Sequence, residues 1–153
     1  MNTTRWWRHK HGELSPHQVS AVGARLRRAQ DRQLRVVVIH QPLQVLEPGD
    51  EHDCLRPRQM SRAEVLHAWS QAGADLVLSG HIHRSFIVPV ANSGRDLWCV
   101  QAGTAVSRRL RRGEPNEVNL IRWHDGECIV EQWEHRGAAG FRPARRAAFR
   151  PGR

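Results

Sequence analysis

Two short apolar runs stand out against a mostly polar chain: Val36-Val37-Val38-Ile39 and Leu76-Val77-Leu78. Neither alternates with polar residues, so both read as strands buried on both faces. Ahead of each lies a segment with helical grammar. In the first, Ser15 is the N-cap, Pro16 takes the first helical position and Gln18 closes a capping box, with Leu14 and Val19 as a hydrophobic staple. The spacing predicts a helix from Pro16 to Arg32, burying Val19, Val22, Leu26 and Ala29 and leaving Arg25, Arg28 and Arg32 in water. In the second, Ser61 caps, Glu64 closes the box, and Met60 and Val65 staple. That helix is expected from Arg62 to near Ala72, with Val65, Leu66 and Trp69 inward, His67 outward and Gly73 as the stop.

Beyond residue 83 the pattern changes to strands: Ser85–Val90, Leu97–Ala102, Glu117–Trp123 and Cys128–Trp133. Asn92-Ser93-Gly94 and Asp125-Gly126 supply the turns, the latter a strong hairpin signal. Helix, strand, helix, strand and then antiparallel strands define an α/β layered fold. Between the first strand and the second helix lies a long loop, residues 41–60, rich in Pro, Gly and acid. Loops of this length are usually functional or mobile, and a lid over a substrate is its expected role. Its Asp50-Glu51-His52-Asp53 follows Glu47-Pro48-Gly49 rather than an apolar strand, so its Asp-x-His spacing reads as coincidence.

Composition sharpens the picture in a few places. At 153 residues the chain can bury one real core. The formal charge is +9, but Arg108, Arg109, Arg111 and Arg112 and the six arginines from Arg136 onward carry the excess. The rest of the chain is close to neutral, so the body of the fold does not imply a specific nucleic-acid partner. The tail, residues 136–153, has no acidic residue and includes Pro143 and Pro151; it is expected to be disordered. Residues 1–13, with Trp6, Trp7, His9 and His11, read as a polar terminal segment. Cys54, Cys99 and Cys128 are odd in number and widely spaced, which fits neither a disulfide framework nor a zinc cluster. A reduced, cytoplasmic setting follows, and no apolar run reaches the length of a membrane span.

The chemistry gathers at two strand ends. Ile39-His40-Gln41-Pro42 closes the first apolar run, and Ser79-Gly80-His81-Ile82-His83 closes the second. If the strands are parallel neighbours, His40, His81 and His83 meet at the carboxyl edge of the sheet, where ligands gather in open α/β folds. Three imidazoles suit a zinc, iron or manganese ion.

These motifs, with the later Val100-Gln101-Ala102-Gly103-Thr104-Ala105-Val106-Ser107-Arg108, resemble the calcineurin-like metallophosphoesterase family over most of residues 12–135. The resemblance implies a partial layered α/β sandwich with two helices, a mixed sheet and C-terminal antiparallel strands. It also implies a hydrolase acting on a phosphate ester through a metal-bound hydroxide. His40 and His81 would bind one metal and His83 a second, and Arg108 is a candidate phosphate contact. The family's upstream Asp-x-His, Gly-Asp and Gly-Asn-His-Asp/Glu motifs do not occur before His40. Residues 14–135 therefore look like the carboxyl-terminal half of such an enzyme, without a bridging carboxylate or an identifiable general acid. Three neutral imidazoles supply no negative charge to hold two divalent cations, so at most one weakly held metal is expected. The alternative is a non-catalytic interaction or regulatory fragment. A missing amino-terminal half or a second copy are the expected partners, because an uncovered apolar face should remain.

Overall fold

A computed structural model describes residues 12–108, 110 and 113–151. His9, His11, Arg109, Arg111 and Arg112 fall outside the described residues. Both capping boxes form. In α1 (Pro16–Arg27) the Ser15 side chain accepts from the Gln18 backbone, and the Gln18 side chain accepts from the Ser15 backbone. In α2 (Arg62–Gln71) Ser61 and Glu64 do the same. The first helix ends earlier than its composition predicts. Arg28 is its C-cap, and Arg32 adopts φ 69°, which begins the turn into the first central strand.

The strands make three sheets. A two-stranded parallel pair joins β1 (Glu13–Leu14) to β3 (Arg56–Pro57). The central sheet has β2 (Val36–Val38), β4 (Leu76–Ser79), β6 (Trp98–Gln101) and β5 (Phe86–Pro89) in the spatial order β2-β4-β6-β5. Its first three members are parallel, and β5 runs antiparallel. The third sheet is an antiparallel meander of β7 (Glu117–His124), β8 (Glu127–His135) and β9 (Phe141–Phe149).

Register explains the layering. Val37, Val77 and Cys99 lie side by side across β2, β4 and β6. They pack with Val19, Leu26, Val65 and Trp69 of the helices. The next residues along, Leu76 and Val100, point to the opposite face and pack on Cys128, Val130 and Phe149 of the meander. The molecule is thus helices, mixed sheet and antiparallel sheet in three layers, the mixed α/β layering expected. The Trp69 indole N–H donates to the Val19 carbonyl at 3.3 Å and ties the two helices together.

Three expectations need correction. The tail is not a disordered extension throughout: residues 141–149 form β9, paired with β8 along its length. The register shifts beside Pro143, which pairs with Trp133 while Arg145 pairs with Gln132; the extra residue absorbs the proline at a sheet edge. Phe149 anchors the strand, stacking on Trp98 with ring centroids 4.6 Å apart. Second, β2 is buried on one face only. Val36 and Val38 are 38% and 56% exposed, whereas Leu76 beside Val36, and Val100 one strand further in, are buried. The meander caps β4 and β6 without reaching β2. Third, residues 41–60 are not a loose loop but pack against the body of the fold. Leu43, Cys54 and Leu55 are buried, and a 3-10 turn spans Pro48–Asp53.

Candidate functional site

The histidine edge is built by three parallel strands. The Gly80 N–H donates to the His40 carbonyl at 3.0 Å, stitching the end of β2 to the end of β4. From β6, the Gln101 side-chain amide donates to the Gly80 carbonyl, while the Ser79 hydroxyl donates to the Gln101 side-chain carbonyl. Gln101 is fully buried, and its hydrogen bonds hold the turn from below.

Spacing two then has a clear consequence. Ile82 is 1% exposed and plugs the core, while His81 is partly exposed and His83 exposed. Both histidines sit in the left-handed region, with φ of 76° and 57°. That region costs an L-residue with a side chain roughly 1–2 kcal/mol, and strain of this kind gathers at functional turns. His81 Nδ1 lies 3.1 Å from His40 Nε2, with the rings edge to face. At that spacing the two nitrogens can share a proton, or both can face a single ion bound at about 2.0–2.1 Å.

His40 and His81 therefore meet as their strand ends predict. Among the described residues no group of three or more His, Cys, Asp or Glu side chains is placed to hold a metal ion, so His83 does not complete a triad with them. Asp50, the carboxylate nearest in character to a missing ligand, is buried and lies 3.3 Å from the Arg84 guanidinium. Arg84 also faces Glu47 at 3.8 Å and Glu114 at 3.6 Å. This arginine, one residue beyond His83, clamps the 41–60 loop onto the histidine turn. Two converging imidazoles, with the Asp50 carboxylate held by an arginine, are too few ligands among the described residues for a two-metal centre.

Arg108 stands exposed in the loop after β6. The adjacent Ser107 is pinned by Asn116, which accepts from its N–H at 3.0 Å and donates to its carbonyl at 3.2 Å. No hydrogen bond or ion pair joins Arg108 to the histidine edge among the described residues.

Two features escaped the sequence reading. The Arg84 hub joins residues far apart in the chain, and no local pattern marks it. The second is a buried polar cluster where the two larger sheets meet. Ser85 donates to Glu117, and the Gln132 amide donates to Ser85 and, at 3.0 Å, to Glu117. The bare Cα of Gly103 makes room for it: a Cβ there would stand 2.6 Å from Glu117 Oε2. Its sequence signal is faint, a polar residue at an inward position in each of two otherwise amphipathic strands.

The architecture defines a layered α/β protein with a paired-histidine edge at the carboxyl ends of its parallel strands. No family model matches the chain, and no curated protein matches it. Among solved structures it overlaps a single mutant of Vps29 from Entamoeba histolytica with a TM-score of 0.42 and 13% identity, covering 91% of this chain and 98% of that one. A double mutant of the same protein gives 0.41 and 11%, covering 89% and 95%. A likeness this loose speaks to neither activity nor partner. No helix among the described residues is long and apolar enough to cross a membrane.

Proposed function

We propose that this chain is a non-catalytic interaction or regulatory module on a metallophosphoesterase-like scaffold, with the histidine edge retained and no bimetal centre. The observation that carries the reading is that Asp50 is engaged by Arg84, one residue beyond His83, while the described residues hold no group of three or more ligating side chains around the converging His40 and His81. In-line attack by a metal-bridging hydroxide requires two cations about 4 Å apart. Two neutral imidazoles cannot offset their mutual repulsion, and among the described residues no carboxylate joins them in a group that could hold a metal. Phosphate esters are then candidate ligands of the scaffold rather than substrates.

A second reading has its own support. The left-handed φ values of His81 and His83 are strain at the place where ligands gather in such sheets. On that reading the chain is a metal-dependent phosphoesterase completed by an amino-terminal half that supplies the carboxylates.

Titration with manganese and zinc, followed by an assay on a generic aryl phosphodiester, separates the two. The module reading expects no more than one weakly bound ion, lost in His81→Ala, and no turnover. Tight binding of two ions, with turnover abolished by His83→Ala, would overturn it in favour of the enzyme.

A further inference from the structure

The opposite end of the central sheet holds a different kind of site. Arg35 and Asp75 immediately precede β2 and β4, and Arg95 lies shortly before β6. At about 3.3 Å per residue, Arg35 sits roughly 15 Å from His40 along the strand, so this end is separate from the histidine edge. Two recesses open here. One, of about 970 Å³, is polar and takes in Arg32, Arg35, Arg95 and Arg150, with Asp31, Asp75 and Asp125. The other, of about 880 Å³, runs between α1 and the exposed face of β2, along Val22, Leu26, Leu34, Val36 and Val38. Both are lined by Arg32, Gln33, Arg35 and Trp123, so one leads into the other.

In the polar recess the Arg35 guanidinium makes one long hydrogen bond, from Nη2 to the Ala29 carbonyl at 3.4 Å. Arg35 Nε and Arg95 Nη2 are buried donors with no acceptor. Asp75 feels both guanidinium charges but gives neither of those two nitrogens an acceptor. Asp75 accepts the Arg35 backbone N–H at 2.8 Å, and Asp125 faces His124 at 3.0 Å. Among the described residues neither aspartate comes within ion-pair distance of a guanidinium. A buried donor without an acceptor costs about 1–3 kcal/mol, and a guanidinium fork is shaped for the oxygens of a phosphate or carboxylate. The adjoining apolar recess has three arginines and no acidic residue in its wall. An ordinary phosphate would leave it empty, and a neutral hydrocarbon would leave the guanidinium donors unmet.

The geometry points to a binding site for a monomeric amphiphilic oxyanion: a hydrocarbon body along Val22, Leu26 and Val38, and a phosphate or carboxylate head on Arg35 and Arg95. Trp123 stands where the two recesses join, its indole N–H donating to the Arg32 carbonyl at 3.3 Å. It marks the site for spectroscopy.

Calorimetry on the full chain with octyl phosphate, octanoate, inorganic phosphate and octanol tests this, with the Trp123 indole resonance as a second readout. Octyl phosphate should bind saturably at one site and shift that resonance. Octanoate should bind within tenfold of it, and inorganic phosphate and octanol at least tenfold more weakly. Arg95→Gln and Val38→Glu should each weaken octyl phosphate binding tenfold or more. Arg150→Gln, at an exposed position on the rim, gives a second head-group variant should Arg95→Gln fail to fold. Equal binding of octanol and octyl phosphate, indifference to both arginine variants, or attachment to anionic vesicles without saturable binding of the monomer would each overturn the proposal.

Discussion

At the scale of single residues, burial decides chemistry. Cys99 is enclosed between the sheet and the helices, and burial pushes its thiol up to about 12. Cys128 is raised to about 11 by burial and the nearby Asp75 charge, and Cys54 is raised chiefly by burial. A thiol whose pKa is raised stays protonated, and the thiolate is the nucleophile. At pH 8 none of the three should react with a disulfide reagent until the chain is unfolded; rapid labelling of any of them in the native state would contradict this. The sign for stability follows. As pH rises past 9, thiols of the unfolded chain ionise while those of the folded chain do not. Stability should therefore fall from pH 9 upward, through the window that ends near the raised values, and a Cys99→Ser variant should show a shallower fall in melting temperature there. Asp75 offers a second residue-scale test. Its carboxyl is raised by burial, against the pull of the Arg35 backbone N–H and of the Arg35 and Arg95 charges. Asp75→Asn keeps an acceptor for that N–H and should leave stability at pH 7 nearly unchanged. Asp75→Ala orphans it and should cost about 1–3 kcal/mol in denaturant unfolding; equal effects of the two would show that the hydrogen bond does not matter. The histidines of the candidate site were legible in the sequence because each closes an apolar strand. Arg84 was not, because its partners Glu47, Asp50 and Glu114 are brought to it only by the folded loop.

At the scale of elements, the helices were legible to within a turn at their starts. A capping box is local chemistry: two residues three positions apart decide it, and both boxes form as read. The strand β9 was not legible. Phe141-Arg142-Pro143-Ala144-Arg145-Arg146-Ala147-Ala148-Phe149 has neither apolar alternation nor β propensity, and most of it is exposed. What holds it is non-local: the ladder with β8, the Arg146–Glu131 contact at 3.9 Å, and Phe149 in the core with Trp98. Its arginines also serve the sheet, since charges along an edge strand discourage pairing with another chain. Hydrogen exchange should show protected amides within 141–149, slower than those of the loop at 137–140. Phe149→Ala should remove that protection and cost about 3 kcal/mol in stability, in the range for aromatic truncation in a core. Fast exchange throughout 141–149 in the unmodified chain would return the segment to the disordered tail that its composition implies.

At the scale of the whole molecule, two effects compete along the edge strand β2. Val36 and Val38 are each more than a third exposed there, and joining two such faces would remove apolar surface from water. At about 25 cal/mol per Å², burying roughly 200 Å² returns about 5 kcal/mol, which corresponds to a dissociation constant on the order of 0.2 mM before the cost of losing free motion. The formal charge of +9 opposes that union, and the groove beside β2 is itself rimmed by Arg25, Arg32 and Arg35. Salt settles the contest, because the screening length shrinks from about 10 Å at 0.1 M to about 3 Å at 1 M, while apolar burial is little weakened by salt. The chain should sediment as a monomer at 50 mM salt and gain average mass at 1 M, with the gain reduced by Val38→Lys, which places a charge on the exposed face of β2. Occupation of the groove by octyl phosphate should reduce the gain as well. A mass that stays monomeric across the salt range would show that this side is too small or too well guarded to self-associate. A mass that falls as salt rises would mean that ion pairs, rather than the valines, hold the copies together.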